Sequence, residues 1–423
     1  MILGIPSALV FLSVGGALEQ AYGTVAVITA LVVASAIIGY AGWVLTSFSA
    51  RSGLDSDLMS IPAGFGRRGS AITSAIYSAN FVILFALEDS IISSALRSRY
   101  PGIPRSLVLI ALGVVVLMLV WRGVSSMTPV MVLSLPVFVV LVGVASSHAT
   151  RGTAPAGSFW SYSPEKVQLN TTGWLSALAV LLAFIVNATV AADVGRFLPE
   201  RRRRAGAVLF GGLLQVVSFG GATLLGAWLS WRLGGSSNPG LYLPALLGVW
   251  GLACVVVSQT RINLINAYSG SLSLSNFGAR LFGVRPGRHI WMTGLVSAAT
   301  VLAMSNIYEH LLGVLTFEAV FVMAWVGALV GYIVVRKPHV DRSSPENLDL
   351  APSVNPVGLS ALGLALAAAT PLAFGTAGTL GQALAPLCAF LIAPVGVVVG
   401  ARIFLRGQGH PTRSSVYELP SIS

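Results

Sequence analysis

The chain has 423 residues, 55% of them hydrophobic and only 9% charged, with a mean hydropathy of +0.84. A soluble domain carries roughly 25% charge, so the composition excludes that class and points to a polytopic membrane protein. The net charge of +11 would suggest a nucleic-acid partner in a soluble protein. Here the arginines sit in short connectors, where membrane topology places them, and nucleic-acid binding is set aside. Cys254 and Cys388 both lie in apolar runs, which excludes a disulfide framework or a cysteine metal site.

Apolar runs of about 20 residues, bounded by Pro, Gly and charge, predict membrane helices. In chain order they fall at 2–19, 24–48, 71–97, 103–121, 126–147, 173–193, 206–230, 242–268, 289–306, 311–334, 358–374 and 380–403. The expectation is an all-α protein of about 12 transmembrane helices, because an open chain cannot satisfy its backbone in hydrocarbon otherwise. The polar stretches 338–357 and 407–423 read as a cytoplasmic loop and a C-terminal tail.

With the N-terminus placed in the cytoplasm, the inside connectors hold 18 of the 25 basic residues and the outside connectors 6, leaving Arg261 within a helix. That bias supports both the helix count and an orientation with both termini inside, in the plasma or inner membrane. The block Arg201 to Arg204 then ends the sixth segment on the cytoplasmic side. The first segment starts at Met1 without a basic leader or a small-residue cleavage site, so it reads as a membrane helix and not as a signal peptide.

Polar residues inside these runs need a partner or a water-filled path. Asn187 and Thr189 interrupt the sixth segment, which closes with Asp193 and Arg196; Glu88 and Asp89 lie in the third, Arg261 in the eighth and Glu318 in the tenth. Each charge either locks the bundle as an interhelical pair or serves a transport path. Counted from the segment midpoints at 1.5 Å per residue, Glu88 and Arg261 differ in depth by ~15 Å. Glu88 is therefore expected toward the outer vestibule and Arg261 in the inner half, without a direct bridge.

At 100° per residue, Gln259, Asn263 and Asn266 fall within ~60° of arc, with Arg261 on a different face of the helix. An amide stripe suits a planar, hydrogen-bonding heterocycle, although such amides also bond neighbouring helices. Phe184 stands one turn before Asn187, and Phe81 and Phe85 are four apart on the third segment, so these rings are candidate stacking surfaces or plain packing. Gly4, Pro6, Ser7, Ser13, Gly15 and Gly16 make the first segment rich in small residues. They either break the helix and expose carbonyls or allow close helix packing.

Four stretches resemble the nucleobase-cation symporters, the family of cytosine permease, allantoin and hydantoin transporters. They are LGIPSALVFLSVGGAL at 3–18, SARSGLDSDLMSIPAGFGRRGS at 49–70, ATVAADVGRF at 188–197 and NAYSGSLSLSNFG at 266–278. The resemblance implies a LeuT-type fold, with inverted five-helix repeats at about 1–147 and 173–334, extra helices at 358–374 and 380–403, and broken first and sixth helices. It also implies alternating-access transport of a purine, pyrimidine or related ring, often driven by Na+ or H+. Carried over by position, the ring would meet Phe81, Phe184, Asn263 and Asn266.

Two departures bear on mechanism. The family's third-helix aromatic is commonly tryptophan, where this chain has Phe81, with Glu88 further along. Sodium-binding relatives use small hydroxyl side chains of the eighth helix with first-helix carbonyls near Gly4 and Ala8; Thr260 and Arg261 fall there in this chain. A guanidinium cannot bind Na+ but can stand as a fixed positive charge, so the coupling is expected to be by protons, through Glu88 or Asp193, or absent. The alternatives are an amino-acid or amine carrier on the same fold, and a non-transporting membrane sensor or scaffold. No phosphate-binding GxxxxGK[ST] loop, nucleophile elbow or metal spacing is present, and His148, His289, His310, His339 and His410 are scattered, so neither an enzyme nor an ATP-driven pump is expected. No cofactor is implied.

Overall fold

The computed structural model describes residues 8–121, 124–152, 155–164, 170–338 and 345–405. Gly4, Pro6, Ser7, the basic residues Arg122, Lys166, Arg342, Arg406 and Arg413, His339 and His410, and the tail at 407–423 lie outside the described residues.

The first half runs α1 (Leu9–Tyr22), α2 (Thr24–Ser52), α3 (Ser56–Met59), α4 (Ala71–Arg99), α5 (Arg105–Trp121) and α6 (Val124–Arg151). The second half continues with α7 (Thr171–Leu182), α8 (Val186–Gly195), α9 (Arg203–Gly206), α10 (Gly221–Arg232), α11 (Pro239–Leu247), α12 (Val249–Phe282), α13 (Arg288–Met304) and α14 (Leu311–Arg336). Two further helices follow, α15 (Pro356–Ala373) and α16 (Gly378–Leu405). The chain is thus an all-α polytopic membrane protein, and each of the twelve expected segments is helical in its described part. Eight helical stretches among the described residues are long and apolar enough to cross a membrane, and Arg105–Trp121 is a shorter apolar helix. The 34-residue α12 is absent from those eight because Gln259, Arg261, Asn263, Asn266 and its serines lower its hydropathy.

Local chemistry sets the helix ends. Asn170, Asn238 and Asn355 cap α7, α11 and α15, each accepting a first-turn N–H, and Pro239 and Pro356 open their helices where no N–H is needed. Arg232 at the end of α10 donates to the carbonyls of Ala149, Thr150 and Gly152, satisfying the free acceptors that end α6.

Two expectations need correction. The eighth run is not one helix over 242–268: Gly248, at φ 58 and ψ −130, ends α11 and turns the chain into α12. Only glycine adopts that backbone cheaply, and its apolar flanks hide the break in a hydropathy profile. The sixth helix is not broken; α7 passes into α8 through one tightened turn, Ala183–Ile185. The connector at 49–70 is folded into the bundle, with α3 and the wide turn Ile61–Phe65 largely buried.

The packing explains the small residues of α1. A Cβ on Gly15 would overlap the carbonyl oxygen of Thr223, and one on Gly226 would overlap the backbone of Leu12, so α1 and α10 lie in backbone contact. α4 packs along α12, α2 along α8, and α14 against α15 and α16. Trp325 of α14 is the largest fully buried side chain.

Candidate functional site

The site is organised by the start of α1. Ala8 is extended, at φ −67 and ψ 114, so the helix begins at Leu9 with its first N–H groups unpaired within α1. Two other helices satisfy them. Gln259 Oε1 of α12 accepts from Leu9 N at 3.2 Å, and the Glu88 carboxyl of α4 faces the Val10 amide. Gln259 also donates through Nε2 to Glu88 Oε2, so one amide joins α1, α4 and α12. The positive end of a helix dipole favours a carboxylate there.

The next turn repeats the arrangement. Asn263 Nδ2 donates to Asp89 Oδ1 at 2.9 Å and to the Phe85 carbonyl at 3.3 Å, while Asn266 Nδ2 donates to Asn263 Oδ1 at 3.0 Å. Adjacent carboxyls on α4 therefore meet amides four apart on α12, one turn of helix. Arg261 leaves the other face, donating to Ser134 Oγ of α6 at 3.1 Å, as its helical angle requires.

Beside this ladder lies a small cavity of about 30 Å³. Ala8 and Phe11 of α1, Phe81 and Glu88 of α4, Phe184 and Asn187 of the sixth segment, and Asn266 of α12 all border it. Phe11 meets Phe184 edge-on at 4.9 Å between ring centres, and Phe219 closes the trio at 5.6 and 5.4 Å. On the other side Tyr77 lies 4.7 Å from Phe81 and 5.1 Å from Trp325. Such edge-on and tilted pairs hold the rings in defined orientations.

Phe81, Phe184, Asn187, Asn266, Ala8 and Glu88 thus meet at one place, and several of the other expected residues do not. Phe85 is fully buried behind the wall, and Asn263 is occupied by Asp89 and the Phe85 carbonyl. Thr260 is half-buried and away from the cavity, Arg261 faces α6, and Gly4 is outside the described residues. The depth estimate for Glu88 also fails. Gln259 and Asn263, on either side of Arg261 in sequence, reach Glu88 and Asp89, so the two charges share a level; opposite faces of α12 separate them. The error came from taking the midpoint of 242–268 for a helix that spans Val249–Phe282.

Asp193 belongs to a second compartment, a chamber of about 290 Å³ at the arginine-bearing end of the bundle. Asp193 accepts from Ser56 N at 2.8 Å and from Tyr77 Oη at 2.9 Å. Asp55 pairs with Arg196 at 2.7 Å, and Asp57 with Arg280 at 3.1 Å and with Asn276. Together these bonds tie the 53–70 connector to α8 and α12. Burial lifts the Asp55 carboxyl above the usual carboxylate range and the neighbouring Asp57 adds to this, against the Leu58 N–H and Arg196. Glu318 lies elsewhere, accepting from Asn80 Nδ2 between α14 and α4.

The sequence reading missed Phe11, Phe219, Tyr77 and Trp325 as ring neighbours, and Gln259 as the cap of α1. Tyr77, four residues before Phe81, was the most legible of these. Among the described residues, no group of His, Cys, Asp and Glu is arranged to hold a metal ion.

An all-helical bundle in which α4, α8 and α12 meet the start of α1 around an aromatic and amide-lined cavity, with two added helices, has the LeuT-type transporter fold. Solved structures carry the same fold over nearly the whole chain. Mhp1, a nucleobase-cation-symport-1 family transporter, in a closed conformation with bromovinylhydantoin bound, is similar at a TM-score of 0.67 and 18% identity, over 95% of this chain and 92% of that one. Mhp1 in an inward-facing conformation gives 0.68 and 17%, over 95% and 90%. A Na+-coupled sialic acid symporter in a substrate-bound outward-open state gives 0.58 and 12%, over 95% and 88%. No family model and no curated protein matches the sequence.

Proposed function

We propose that the chain is a secondary transporter that carries a nucleobase-like heterocycle across the membrane by alternating access. The observation that carries this is the cavity where Phe11, Phe81 and Phe184 meet Asn187, Asn266 and Glu88. Aromatic faces sandwich a planar ring and amides read its edge. In this proposal the repeats are about 1–147 and 173–334, both termini are cytoplasmic, and the chamber around Asp193 is the inner exit.

Protons drive the cycle through Glu88. Its carboxyl borders the cavity, faces the start of α1 and is held by a neutral amide, so taking up a proton alters the substrate wall and the α1 cap together. Arg261, fixed between α12 and α6, serves as a permanent positive charge in place of a coupling sodium.

The test is a thermal-shift screen of the purified protein against nucleobases and hydantoins, followed by uptake into proteoliposomes with and without Na+ and across a pH gradient. Uptake that follows the pH gradient and ignores Na+ is expected; strict Na+ dependence rejects the coupling scheme. Arg261→Ala is expected to keep ligand binding and lose turnover. A second reading, an amine carrier, is favoured by one observation: Glu88 is the only carboxyl among the residues bordering the cavity, while Arg261, which a carboxylate-bearing substrate would need, lies off it. Including amines and amino acids in the same screen separates the two.

A further inference from the structure

Between the turn at 61–68, the end of α12 and the connector into α15 lies a cavity of about 670 Å³ that the transport cycle leaves unused. Among the described residues, the guanidinium groups of Arg67, Arg68, Arg280 and Arg285 border it, against the one carboxylate of Asp349. Arg67, Arg68 and Arg285 are exposed and form no ion pair among the described residues. Arg280 is only partly engaged. Its Nη1 holds Asp57 Oδ1 at 3.1 Å and Ser74 Oγ at 2.7 Å, while its Nη2 is buried without a partner.

The wall carrying these groups is fixed. The Arg67 and Arg68 amides donate to the carbonyls of Pro352 and Ser353 at 2.9 and 2.7 Å, and Asn355 N donates back to the Phe65 carbonyl at 2.9 Å. Gly66, at φ +78, makes the turn inside this contact, where a Cβ would crowd the Pro352 oxygen. Basic residues at a membrane face are what topology alone provides. Their convergence on one concave, backbone-anchored site goes further, because like charges held together repel unless an anion joins them. Leu58, Ile61 and Leu348 add an apolar flank to the same cavity.

We propose that this cavity binds a phosphate-bearing anion, as a second site separate from the central one. Guanidinium forks match phosphate oxygens in pairs, and the exposed forks of Arg67, Arg68 and Arg285 can take them while Arg280 stays paired with Asp57. The phosphate is either that of a soluble metabolite or that of an anionic lipid headgroup.

Two arms distinguish these sources. Thermal unfolding of the purified protein in inorganic phosphate, against chloride at equal ionic strength, reads the soluble source. Native mass spectrometry of protein released from phosphatidylglycerol–phosphatidylcholine nanodiscs reads the lipid source. The triple variant Arg67→Ala, Arg68→Ala, Arg285→Ala is compared with Arg201→Ala, Arg202→Ala, Arg204→Ala, which removes the same charge from the same end but outside the cavity. Wild type and the 201–204 variant are expected to bind in at least one arm, and the cavity variant to bind about tenfold more weakly or worse. The single Arg285→Glu, in the exposed connector after α12, is expected to show the same loss if the triple variant is poorly folded. Equal loss in both triple variants, or no binding by wild type in either arm, overturns the proposal.

Discussion

The central cavity and the chamber at the arginine-bearing end both contain buried carboxyls, yet apart from Asp193, which takes neutral donors in the chamber, the two sets are held by opposite means. Around the cavity, Glu88 and Asp89 are bonded to the amides of Gln259 and Asn263, and no ion pair is formed there among the described residues. In the chamber, Asp55 and Asp57 are paired with Arg196 and Arg280. An amide-held carboxyl can change its charge without stranding a buried counter-ion, whereas breaking a buried ion pair leaves one behind. In the proposed cycle, the carboxyls in the middle of the bundle would respond to protons and those at its end would act as a latch.

The predictions break or sharpen that contrast. The largest effect is expected from Glu88→Gln, which keeps an amide-compatible shape and removes the titrating group: uptake driven by a pH gradient falls to background while thermal-shift binding of the ligand persists. Asp57→Ala comes next, because it strands Arg280, whose side chain is only 11% exposed; a stability loss of about 3 kcal/mol is expected in denaturant unfolding. Phe184→Ala removes one stacking face and is expected to weaken ligand binding by about 2 kcal/mol, roughly 30-fold in Kd, with Asn266→Ala somewhat milder, at about 1 kcal/mol. The smallest effect is that of Arg196→Ala. Its side chain is 29% exposed, and the Asp55 it leaves behind, 12% exposed, keeps the Leu58 N–H and can take up a proton, so about 1 kcal/mol is lost in the same unfolding assay.

The all-helical, polytopic character was legible because hydropathy and connector charge report directly on the bilayer. Breaks in helices were not legible: Asn187 and Thr189 mark none in the sixth helix, and Gly248, which makes one, sits among apolar neighbours. The angular division of α12 was also legible, since helical periodicity assigns Gln259, Asn263 and Asn266 to the α1 and α4 side and Arg261 to α6. What could not be read was which amide is consumed within the protein: Asn263 and Asn266 differ only in whether Asp89 comes within reach. The rings of Phe11 and Phe219 join Phe184 from helices distant in sequence, and only the packing of α1 on α10, set by Gly15 and Gly226, brings them there.

The most direct measurement is of proton movement itself. Proteoliposomes loaded with a pH-sensitive dye are given the ligand found by thermal shift, without Na+ and without an imposed gradient. The account predicts that the lumen acidifies with ligand uptake for the wild type and stays unchanged for Glu88→Gln. Ligand uptake by the wild type with no accompanying acidification, or acidification that survives Glu88→Gln, would contradict it.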